Sequence, residues 1–423
     1  MKKLLQLKLK FMARLVLARY KPEVIGITGS VGKTSTKEAV YAVLKGKFNV
    51  RRSLKNYNNE LGVPLTILGV DSPGRSIGGW LRVWGHFIKL LIIKDKNYPT
   101  VLVLEMGIDR PGDMKYLISI VIPKIGLVTG VGSSHLEFFN KPENIQKEKR
   151  VLAESLDKES LAVLNYDNEL TREMAGSVIC QVLTYGLDEG ADIKAQEINF
   201  NFRSGDANLL GVSFKLNYRG AIVPVFLPHV IGYPPIYASL AASAVALHYS
   251  INLVEIAQAL SDFRLPAGRL NLLPGRNNTK IIDDTYNSSP DSCLAALAIL
   301  SEVKAVRGRK VAVLGDMLEL GNASDIGHAE VGKKAAASVD LLVAVGEKGK
   351  LIGEAAQTAG LKEIIYLPDS LKAAESILDI ISSDDLILVK GSQGARMERV
   401  VKVLMSEPEK SFDLLVRQGR DWQ

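Results

Sequence analysis

The fold of this chain is decided by the stretch from Val24 to Thr36, which reads VIGITGSVGKTST. The β-branched residues at its start predict a short buried strand, and its glycines predict a tight turn into a helix over 33–44. Such a unit binds phosphate, because the backbone N–H groups of the turn and the N-terminus of the helix face the anion. We expect Lys33 to supply positive charge and the hydroxyl of Thr34 to bind a phosphate-bound Mg²⁺.

The expected phosphate cradle, which we predict to bind ATP, consists of Thr28, Gly29, Ser30, Val31, Gly32, Lys33, Thr34 and Ser35. The general phosphate-loop template has a glycine at position 27, where this chain has Ile27, so the match to that template is incomplete. The alternative is a strand-to-helix turn that binds nothing. A Gly-Lys-Thr-Ser run at such a junction favours the phosphate site.

Length and composition indicate a soluble globular protein with two domains. The chain has 423 residues, which exceeds the size of one ordinary hydrophobic core. Hydrophobic residues make up 47% and charged residues 23%, and no run of about twenty apolar residues predicts a membrane-spanning helix. Cys180 and Cys293 are far apart and lack metal-ligand spacing, so we expect a reduced, cytoplasmic protein without disulfides.

The net charge of +7 is concentrated at one end of the sequence. Residues 1–21 carry seven lysines and arginines and no acidic residue, whereas the remainder is close to neutral. This distribution argues against a uniform basic groove, so nucleic acid is not an expected partner. An electrostatic anchor at one end is the better interpretation.

Residues 1–21 predict a basic amphipathic helix. Helical spacing puts Lys3, Lys10, Arg14 and Lys21 on one face. A neighbouring face is apolar and carries Leu4, Leu5, Phe11, Met12, Leu15 and Val16. The pattern is typical of an interfacial helix and predicts peripheral contact with an anionic membrane surface. The alternative is a helix that packs on the first domain with its basic face in water.

A second amphipathic segment lies within residues 71–99 and contains Trp80, Trp84 and Phe87 beside basic residues. Tryptophan next to lysine and arginine suits a membrane interface. The alternative, of equal weight, is an inserted helix that packs on the domain or on a partner subunit. Either interpretation makes 71–99 an amphipathic insertion in the first domain.

Polar side chains follow the predicted buried strands of the first domain. A strand over 100–105 ends at Glu105, and His135 follows a second strand over 124–129. Ligands of open α/β sheets bind at the carboxyl ends of the strands, so we expect both side chains at the phosphate-binding edge. An earlier loop contains Asn58 and Asn59, whose amides can bind polar ligand atoms.

Strand and helix patterns alternate along most of the chain, which predicts an α/β fold. Residues 22–265 are expected to form a P-loop ATPase-type central domain, in which period-two alternation over 192–227 predicts a small antiparallel extension. Residues 265–270 have the composition of a hinge. Residues 266–423 are expected to form a Rossmann-like, doubly wound C-terminal domain.

Seven short motifs lie in a fixed order along the chain. In the first domain they are TGxxGKTS at 28–35, NNxxGxP at 58–64, EMG at 105–107 and HLE at 135–137. In the second domain they are DDTYN at 283–287, GDMxELG at 315–321 and KGS at 390–392. This set resembles the Mur ligase family over about residues 23–405, and the set is far more specific than any one of its members.

The resemblance implies an ATP-dependent ligase that forms an amide bond through an acyl phosphate. Within the family, the motifs are most similar to the branch whose substrates are UDP-MurNAc-tripeptide and D-Ala-D-Ala. This similarity implies a cytoplasmic role in peptidoglycan synthesis and cell wall biogenesis. Such a reaction depends above all on charge neutralisation and positioning. The implied cofactors are ATP, Mg²⁺ and a lysine that is carbamylated by CO₂.

By resemblance, the catalytic and metal-binding roles fall on the first domain. Lys33 is expected to hold the phosphates, and Thr34 is expected to bind one Mg²⁺. Glu105 and His135 are expected to bind a second. These four residues would thus place the metal ions and the transferred phosphate at one edge of the sheet.

The carbamylated lysine is expected at Lys149, which lies at the matching distance after the HLE motif. Its carbamate would help to bind the metal ion. Val151 stands where this branch of the family usually has an acidic residue, so Lys147 is the reserve choice.

Further ligand contacts are implied by the resemblance. ATP would also meet Asn59, Arg269 and Asp283. The peptide or the incoming dipeptide would meet four residues of the second domain: Asn287, Ser288, Lys390 and Ser392. The alternative for the second-domain residues is that they only form loop-closing turns.

Two other functions stay open at this point. Only about twenty residues precede the first strand, so we expect this sequence to lack the separate N-terminal domain that binds the UDP end in the family. The same chemistry on another carboxylate, such as a polyglutamyl or lipid-linked peptidoglycan substrate, is one alternative. A non-catalytic nucleotide-binding scaffold is the other, because residues 232–238 differ from the family's adenine segment. The intact Lys33, Thr34, Glu105 and His135 favour catalysis.

Overall fold

The computed structural model describes residues 2–53, 57–132, 139, 141–201, 211–303 and 307–419. The chain divides into two units. Unit 1 comprises Met1–Ile198, Phe214–Phe226 and Pro234–Phe263. Unit 2 comprises Asn199–Ser213, Leu227–Tyr233 and Arg264–Gln423. The last change of unit, between Phe263 and Arg264, lies beside the predicted hinge.

The α-helices are numbered here in chain order. Those before residue 270 are α1 (Lys2–Tyr20), α2 (Lys33–Leu44), α3 (Gly62–Leu68), α4 (Ile77–Ile92), α5 (Asp113–Ile118), α6 (Pro142–Glu154), α7 (Glu169–Arg172), α8 (Tyr233–His248) and α9 (Leu253–Ser261). Those after it are α10 (Pro290–Glu302), α11 (Ser324–Ala336), α12 (Gly349–Thr358), α13 (Ser370–Ile380), α14 (Glu398–Leu404) and α15 (Ser411–Leu414).

The strands alternate with these helices along most of the chain. The first group is β1 (Glu23–Thr28), β2 (Val50–Arg52), β3 (Val101–Glu105), β4 (Ile125–Val128), β5 (Leu161–Asn165), β6 (Gln181–Gly186), β7 (Ile193–Asn201), β8 (Gly211–Tyr218) and β9 (Ala221–Pro228). The second group is β10 (Asn271–Pro274), β11 (Lys280–Asp284), β12 (Lys310–Gly315), β13 (Leu341–Val345), β14 (Glu363–Leu367) and β15 (Leu386–Lys390).

The first sheet has the order β2-β3-β1-β4-β5-β6-β7-β8-β9 in the described part of the chain. Strand β1 pairs in parallel with β3 on one side and with β4 on the other. The pairs β2–β3, β4–β5, β5–β6 and β6–β7 are also parallel. The carboxyl ends of β1, β3 and β4 therefore lie side by side at one edge. The predicted extension corresponds to β7, β8 and β9, which follow β6 in the sheet.

The central strands are apolar because they are covered on both faces. Every residue of β3 and of β4 is buried, and β1 is buried from Val24 to Thr28. Helix α2 contacts β1 and β3 and buries Ala39, Val40, Val43 and Leu44. This packing fixes the start of α2 directly after the carboxyl end of β1.

Helix α1 packs against α3 and α4 in unit 1. Its buried face carries Leu9, Met12, Ala13 and Val16. This buried face packs on the first domain, as the second interpretation expects. Leu4 and Phe11, which belong to the predicted apolar face, are exposed instead. Within the described residues, no helix has the length and apolarity needed to cross a bilayer.

The second sheet lies in unit 2 and has the order β10-β11-β15-β12-β13-β14 over the described residues. Strand β10 is antiparallel to β11, and the other pairs are parallel. Its core is formed by alternating residues of the central strands, including Val311, Val313, Val343, Ile387 and Val389. The carboxyl ends of β11, β15 and β12 are neighbours at one edge.

Candidate functional site

The loop between β1 and α2 has the backbone conformation of a phosphate cradle. Gly32 caps α2 with a φ of 83°, in the left-handed region that favours glycine. Gly29 has a φ of 152°, and a Cβ at this position would lie 1.8 Å from Oγ1 of Thr129. The two glycines are thus required by the turn and by the close approach of Thr129, which directly follows β4.

The loop is held from the end of β4. The backbone N–H of Ser30 donates to the carbonyl of Gly130 at 2.8 Å, and the N–H of Gly132 donates to Oγ of Ser30 at 2.9 Å. Oγ1 of Thr129 donates to the carbonyl of Val31, whose side chain is exposed. This fixed frame leaves the N-terminus of α2, which is the positive end of the helix dipole, directed to the same edge.

Lys33 is the first residue of α2. Its Nζ folds back over the loop and donates to the carbonyl of Gly29 at 2.7 Å and to that of Ser30 at 3.4 Å. The ammonium group therefore lies above the cradle. It can exchange these neutral carbonyl acceptors for phosphate oxygens, which form stronger, charge-assisted hydrogen bonds.

Thr34 and Glu105 meet at the ends of neighbouring elements. Oγ1 of Thr34 lies 3.1 Å from Oε2 and 3.3 Å from Oε1 of the buried Glu105 carboxylate. The amide of Asn58 donates to Oε1 at 3.3 Å, and Nζ of the buried Lys37 lies 3.8 Å from Oε2. The hydroxyl and the carboxylate are oxygen donors of the kind that Mg²⁺ prefers. Their contact brings a residue predicted for one Mg²⁺ next to a residue predicted for the second, and both assignments stay predictions.

Lys149 lies on the buried face of α6, together with Ile145 and Leu152. Burial, and then the positive charge of Lys33, hold the pKa of its amine well below the ordinary lysine value, against the opposing effects of Glu148 and Asp109. The low pKa favours the neutral amine, which is the form that reacts with CO₂. Lys147 is exposed on the same helix, so the structure gives the two candidates opposite environments.

The other predicted residues of unit 1 have identifiable surroundings. Thr28 is fully buried at the end of β1, and Ser35 is buried in the first turn of α2. Oδ1 of Asn59 accepts hydrogen bonds from the N–H groups of Leu61 and Gly62, at the start of α3. Its predicted contact with ATP stays a prediction. His135 lies outside the described residues.

Lys390 and Asp284 form a buried ion pair in unit 2. Asp284 ends β11 and Lys390 ends β15, and Nζ of Lys390 lies 2.5 Å from Oδ2 of Asp284. The same Nζ donates to the carbonyl of Asn287 at 3.0 Å. The N–H of Gln393 donates to Oδ1 of Asn287 at 3.4 Å. The carboxyl ends of two adjacent strands thus hold the DDTYN loop.

Ser392 joins this loop to the end of β12. Its Oγ donates to the carbonyl of Ser288 at 3.1 Å and accepts from the N–H of Leu318 at 2.8 Å. The N–H of Ser392 donates to the carbonyl of Asp316 at 2.9 Å. The predicted substrate residues Asn287, Ser288, Lys390 and Ser392 are therefore brought together at one edge of the second sheet.

The remaining two predicted residues lie beside the same loop. Burial raises the pKa of Asp283 to about 6, although its Oδ1 accepts hydrogen bonds from the N–H and the hydroxyl of Thr285. The guanidinium of Arg269 lies 4.2 Å from the ring centroid of Tyr286. This stacking presents Arg269 at the edge formed by the DDTYN loop.

The structure adds two residues that the sequence interpretation missed, Lys37 and Arg417, and it gives Asn58 of the polar loop a specific partner. Asn58 and Lys37 both contact Glu105, as described above. Arg417 donates to the carbonyls of Thr285 and Tyr286 and pairs with the buried Glu398. Lys37 lies four residues after Lys33 on α2, and this spacing could have predicted that both lie on the same face of the helix. Arg417 lies in a distant segment that contains no motif.

Sequence comparisons identify both domains. Residues 27–77 and 87–246 match the Mur ligase middle domain, and residues 268–393 match the glutamate ligase domain of Mur ligases. The chain is 30% identical over 391 residues to the UDP-N-acetylmuramoyl-tripeptide–D-alanyl-D-alanine ligase of Synechocystis sp., a match that covers 92% of this chain and 76% of the relative. The chain belongs to the Mur ligase family. The unmatched residues 78–86 of this Mur ligase lie within α4.

Other relatives of this Mur ligase agree. The ligase of the same name from Bacillus subtilis is 28% identical over 402 residues, which cover 95% of this chain and 79% of the relative. The crystal structure of MurF ligase from Thermotoga maritima in complex with ADP has a TM-score of 0.75 and 27% identity, and covers 96% of this chain and 84% of that one. A MurF structure from Acinetobacter baumannii has a TM-score of 0.76 and 25% identity, with coverages of 94% and 79%. The predicted family, α/β fold class and ligase class are confirmed.

Proposed function

We propose that this Mur ligase is an ATP-dependent peptide ligase that joins D-Ala-D-Ala to UDP-MurNAc-tripeptide in the cytoplasm. Both curated relatives described above are named for these two substrates, and one similar structure is a complex with ADP. The observation that carries the proposal is the contact of Thr34 with Glu105 at the mouth of the phosphate loop. A loop with no nucleotide to bind has no need of a buried carboxylate against that hydroxyl.

The phosphate loop is assigned to the β- and γ-phosphates of ATP. The N–H groups at the start of α2 and the ammonium of Lys33 offset the negative charge that hinders attack on phosphorus. Lys33 already lies over the loop, within hydrogen-bond reach of Gly29 and Ser30. Its movement onto phosphate therefore needs only side-chain rotation.

Mg²⁺ is assigned to Thr34 and Glu105, with His135 as a further ligand. The metal ion would offset charge on the phosphates when ATP is bound. Lys149, as a carbamate, is assigned to the same metal site. The lowered pKa of its amine supports this assignment, because the positive charge of Lys33 disfavours an ammonium at this position and would attract a carbamate.

The proposed reaction has two steps. A carboxylate oxygen of the tripeptide attacks the γ-phosphorus of ATP, which forms an acyl phosphate and releases ADP. The amine of D-Ala-D-Ala then attacks the carbonyl carbon, phosphate leaves, and the nitrogen gives up a proton as the amide forms. Positioning and charge neutralisation supply the rate enhancement, since no side chain is required to form a covalent bond to the substrate.

The edge of the second sheet is assigned to the peptide and the incoming dipeptide. Asn287, Ser288, Lys390 and Ser392 offer amide, hydroxyl and ammonium groups within one hydrogen-bonded loop. Arg269, Asp283 and Asn59 are assigned to ATP. The rigid loop suits the recognition of a short, zwitterionic peptide, because its polar groups are already held in place.

Phosphate release tests the proposal. Purified protein with ATP, Mg²⁺ and UDP-MurNAc-tripeptide should release phosphate on a multiple-turnover scale only when D-Ala-D-Ala is added. Lys33→Met should abolish this release, whereas the matched Lys115→Met, on an exposed position of α5, should leave it intact. Release that is absent, or that ignores the dipeptide, would reject the assignment. Phosphate release that requires another amine acceptor or another carboxylate would favour a ligase of the same chemistry with different substrates.

A further inference from the structure

Helices α1 and α4 each have an apolar stripe that faces away from the core of unit 1. On α1 the exposed fractions are 59% for Leu4, 59% for Leu7 and 62% for Phe11. On α4 they are 80% for Ile77, 68% for Leu81, 50% for Ile88 and 73% for Ile92. Successive members of each stripe are three, four or seven residues apart in the sequence. These spacings equal about one or two helical turns, so each stripe follows one side of its helix.

The two helices lie against each other through a defined seam. Nζ of Lys8 lies 5.9 Å from the ring centroid of Trp84. Nη2 of Arg19 donates to the carbonyl of Ile92 at 3.3 Å, and the hydroxyl of Tyr20 donates to that of Leu90 at 3.0 Å. Both C-terminal ends therefore meet, and the helices run in the same general direction.

The seam determines where the exposed stripes point. On α1, Lys8 and Arg19 lie between the buried stripe around Met12 and the exposed stripe around Phe11. On α4, Trp84 lies between the buried Phe87 and the exposed stripe. On each helix the seam residues lie between the buried stripe and the exposed stripe. Because the buried stripes of both helices face the core, the two exposed stripes face the same side. They form one surface, which we call the α1/α4 face.

The charged side chains of α1 and α4 all have one sign. Helices α1 and α4 contain no acidic residue. Exposed basic side chains flank the apolar stripes: Lys3, Lys8, Arg14, Arg19, Arg82 and Lys89. A protein partner or a second copy would have to supply a matching set of acids, whereas an anionic bilayer supplies negative charge and hydrocarbon over the whole area at once.

We propose that the α1/α4 face docks unit 1 onto an anionic lipid surface. The apolar stripes enter the boundary between headgroups and acyl chains, and the flanking lysines and arginines contact anionic headgroups. Trp80 and Trp84, both half-buried beside the stripes, lie at the level where tryptophan is favoured in bilayers. This inference is independent of the proposed ligase reaction, and its test measures lipid binding alone.

The test is sedimentation of the full chain with vesicles of phosphatidylcholine, with and without about one-third phosphatidylglycerol. We expect binding to the anionic vesicles only, with weaker binding at high salt because the charges are screened. In a Trp422→Phe background, lipids brominated on the acyl chains should quench Trp80 and Trp84. Absent binding, or equal binding to neutral vesicles, would overturn the proposal.

Two double variants test the face itself. Phe11→Ser with Leu81→Ser removes exposed apolar groups and should lower the partition coefficient at least tenfold. Arg14→Gln with Lys89→Gln should lower it about 25-fold, since each charge contributes about fivefold. The matched control is Ile179→Ser with Lys158→Gln, at exposed positions outside the face, which should bind like the unmodified chain. If the control loses binding equally, the face is not the lipid site.

The oligomeric state separates lipid from protein as the occupant. Analytical ultracentrifugation without lipid should give the same species for the unmodified chain and for Phe11→Ser with Leu81→Ser. A dimer that this variant dissociates would show that a second copy covers the face. That result would overturn the assignment to lipid.

Discussion

Replacing Lys149 by methionine should remove a pH-dependent contribution to the stability of unit 1. Burial, together with the charge of Lys33, keeps the pKa of this amine well below the ordinary lysine value, which applies in the unfolded chain. Between the lowered pKa and about 10.5, the unfolded chain therefore binds more protons at this residue than the folded chain does. Stability from this group rises with pH through that window and is lost as the pH falls.

The size of the effect follows from proton linkage. One proton taken up on unfolding changes the free energy of unfolding by up to about 1.4 kcal/mol per pH unit. The difference in stability between the unmodified protein and Lys149→Met should therefore change by up to this amount per unit within the window. Methionine fills a similar volume without a charge, so the variant should fold.

Urea unfolding at several pH values up to about 10.5 measures this slope. The fluorescence of Trp80 and Trp84, in a Trp422→Phe background, reports on unit 1. Lys147→Met is the matched control, because Lys147 is exposed on the same helix and should keep the unmodified slope. Equal slopes for Lys149→Met and the unmodified protein would refute the account of a buried, neutral amine.

Three further changes test other parts of the site. Gly29→Ala should weaken ADP binding, measured by calorimetry, at least tenfold, or about 1.4 kcal/mol. Adding Thr129→Ala should restore part of the affinity, because Oγ1 is removed and the nearest remaining atom, Cβ of residue 129, lies 3.0 Å from the new Cβ. Thr34→Val should raise the Mg²⁺ concentration for half-maximal turnover about tenfold, since the proposed metal ligand is lost while the volume is kept. Asp284→Asn should lower the free energy of unfolding by about 3–5 kcal/mol in urea, because it leaves the Lys390 ammonium buried without its carboxylate.

Each of these three predictions has a result that would contradict it. Unaltered ADP affinity in Gly29→Ala would mean that the loop does not need its close approach to Thr129. An unchanged Mg²⁺ dependence would remove Thr34 from the metal site. If Asp284→Asn is no less stable than Asp284→Asn with Lys390→Met, the buried pair has no coupled contribution.

The elements that the sequence predicts well are those with a strong local pattern. The apolar runs of β1, β3 and β4 and the glycines between β1 and α2 leave few alternatives for the backbone. The predicted helix over 33–44 is α2 itself. The motifs that follow β3, β11 and β15 also lie at strand ends, because parallel pairing brings such ends to one edge.

Side-chain partners were less predictable, because they depend on loop backbones. Asn58 and Asn59 are adjacent in sequence, yet Asn58 donates to Glu105 whereas Asn59 accepts from the N–H groups of Leu61 and Gly62. No propensity distinguishes two neighbouring asparagines. The contact of Arg417 with the DDTYN loop joins residues more than a hundred positions apart, which no local pattern encodes.

Helix α1 shows why a hydrophobic pattern can be ambiguous. It has apolar residues on two opposite sides, with lysines and arginines between them. A helical projection therefore cannot decide which side is buried. The packing of α3 and α4 decides it, since Met12 and Val16 contact the core and Phe11 does not.

The acyl phosphate is the intermediate on which the proposed amide formation depends. The most direct test is isotope transfer from UDP-MurNAc-tripeptide labelled with ¹⁸O in the carboxylate that is to be joined, with ATP, Mg²⁺ and D-Ala-D-Ala present. We expect one ¹⁸O atom in each phosphate released, together with the amide product in equal amount, as measured by mass spectrometry. Phosphate without ¹⁸O, or phosphate release without amide, would contradict it.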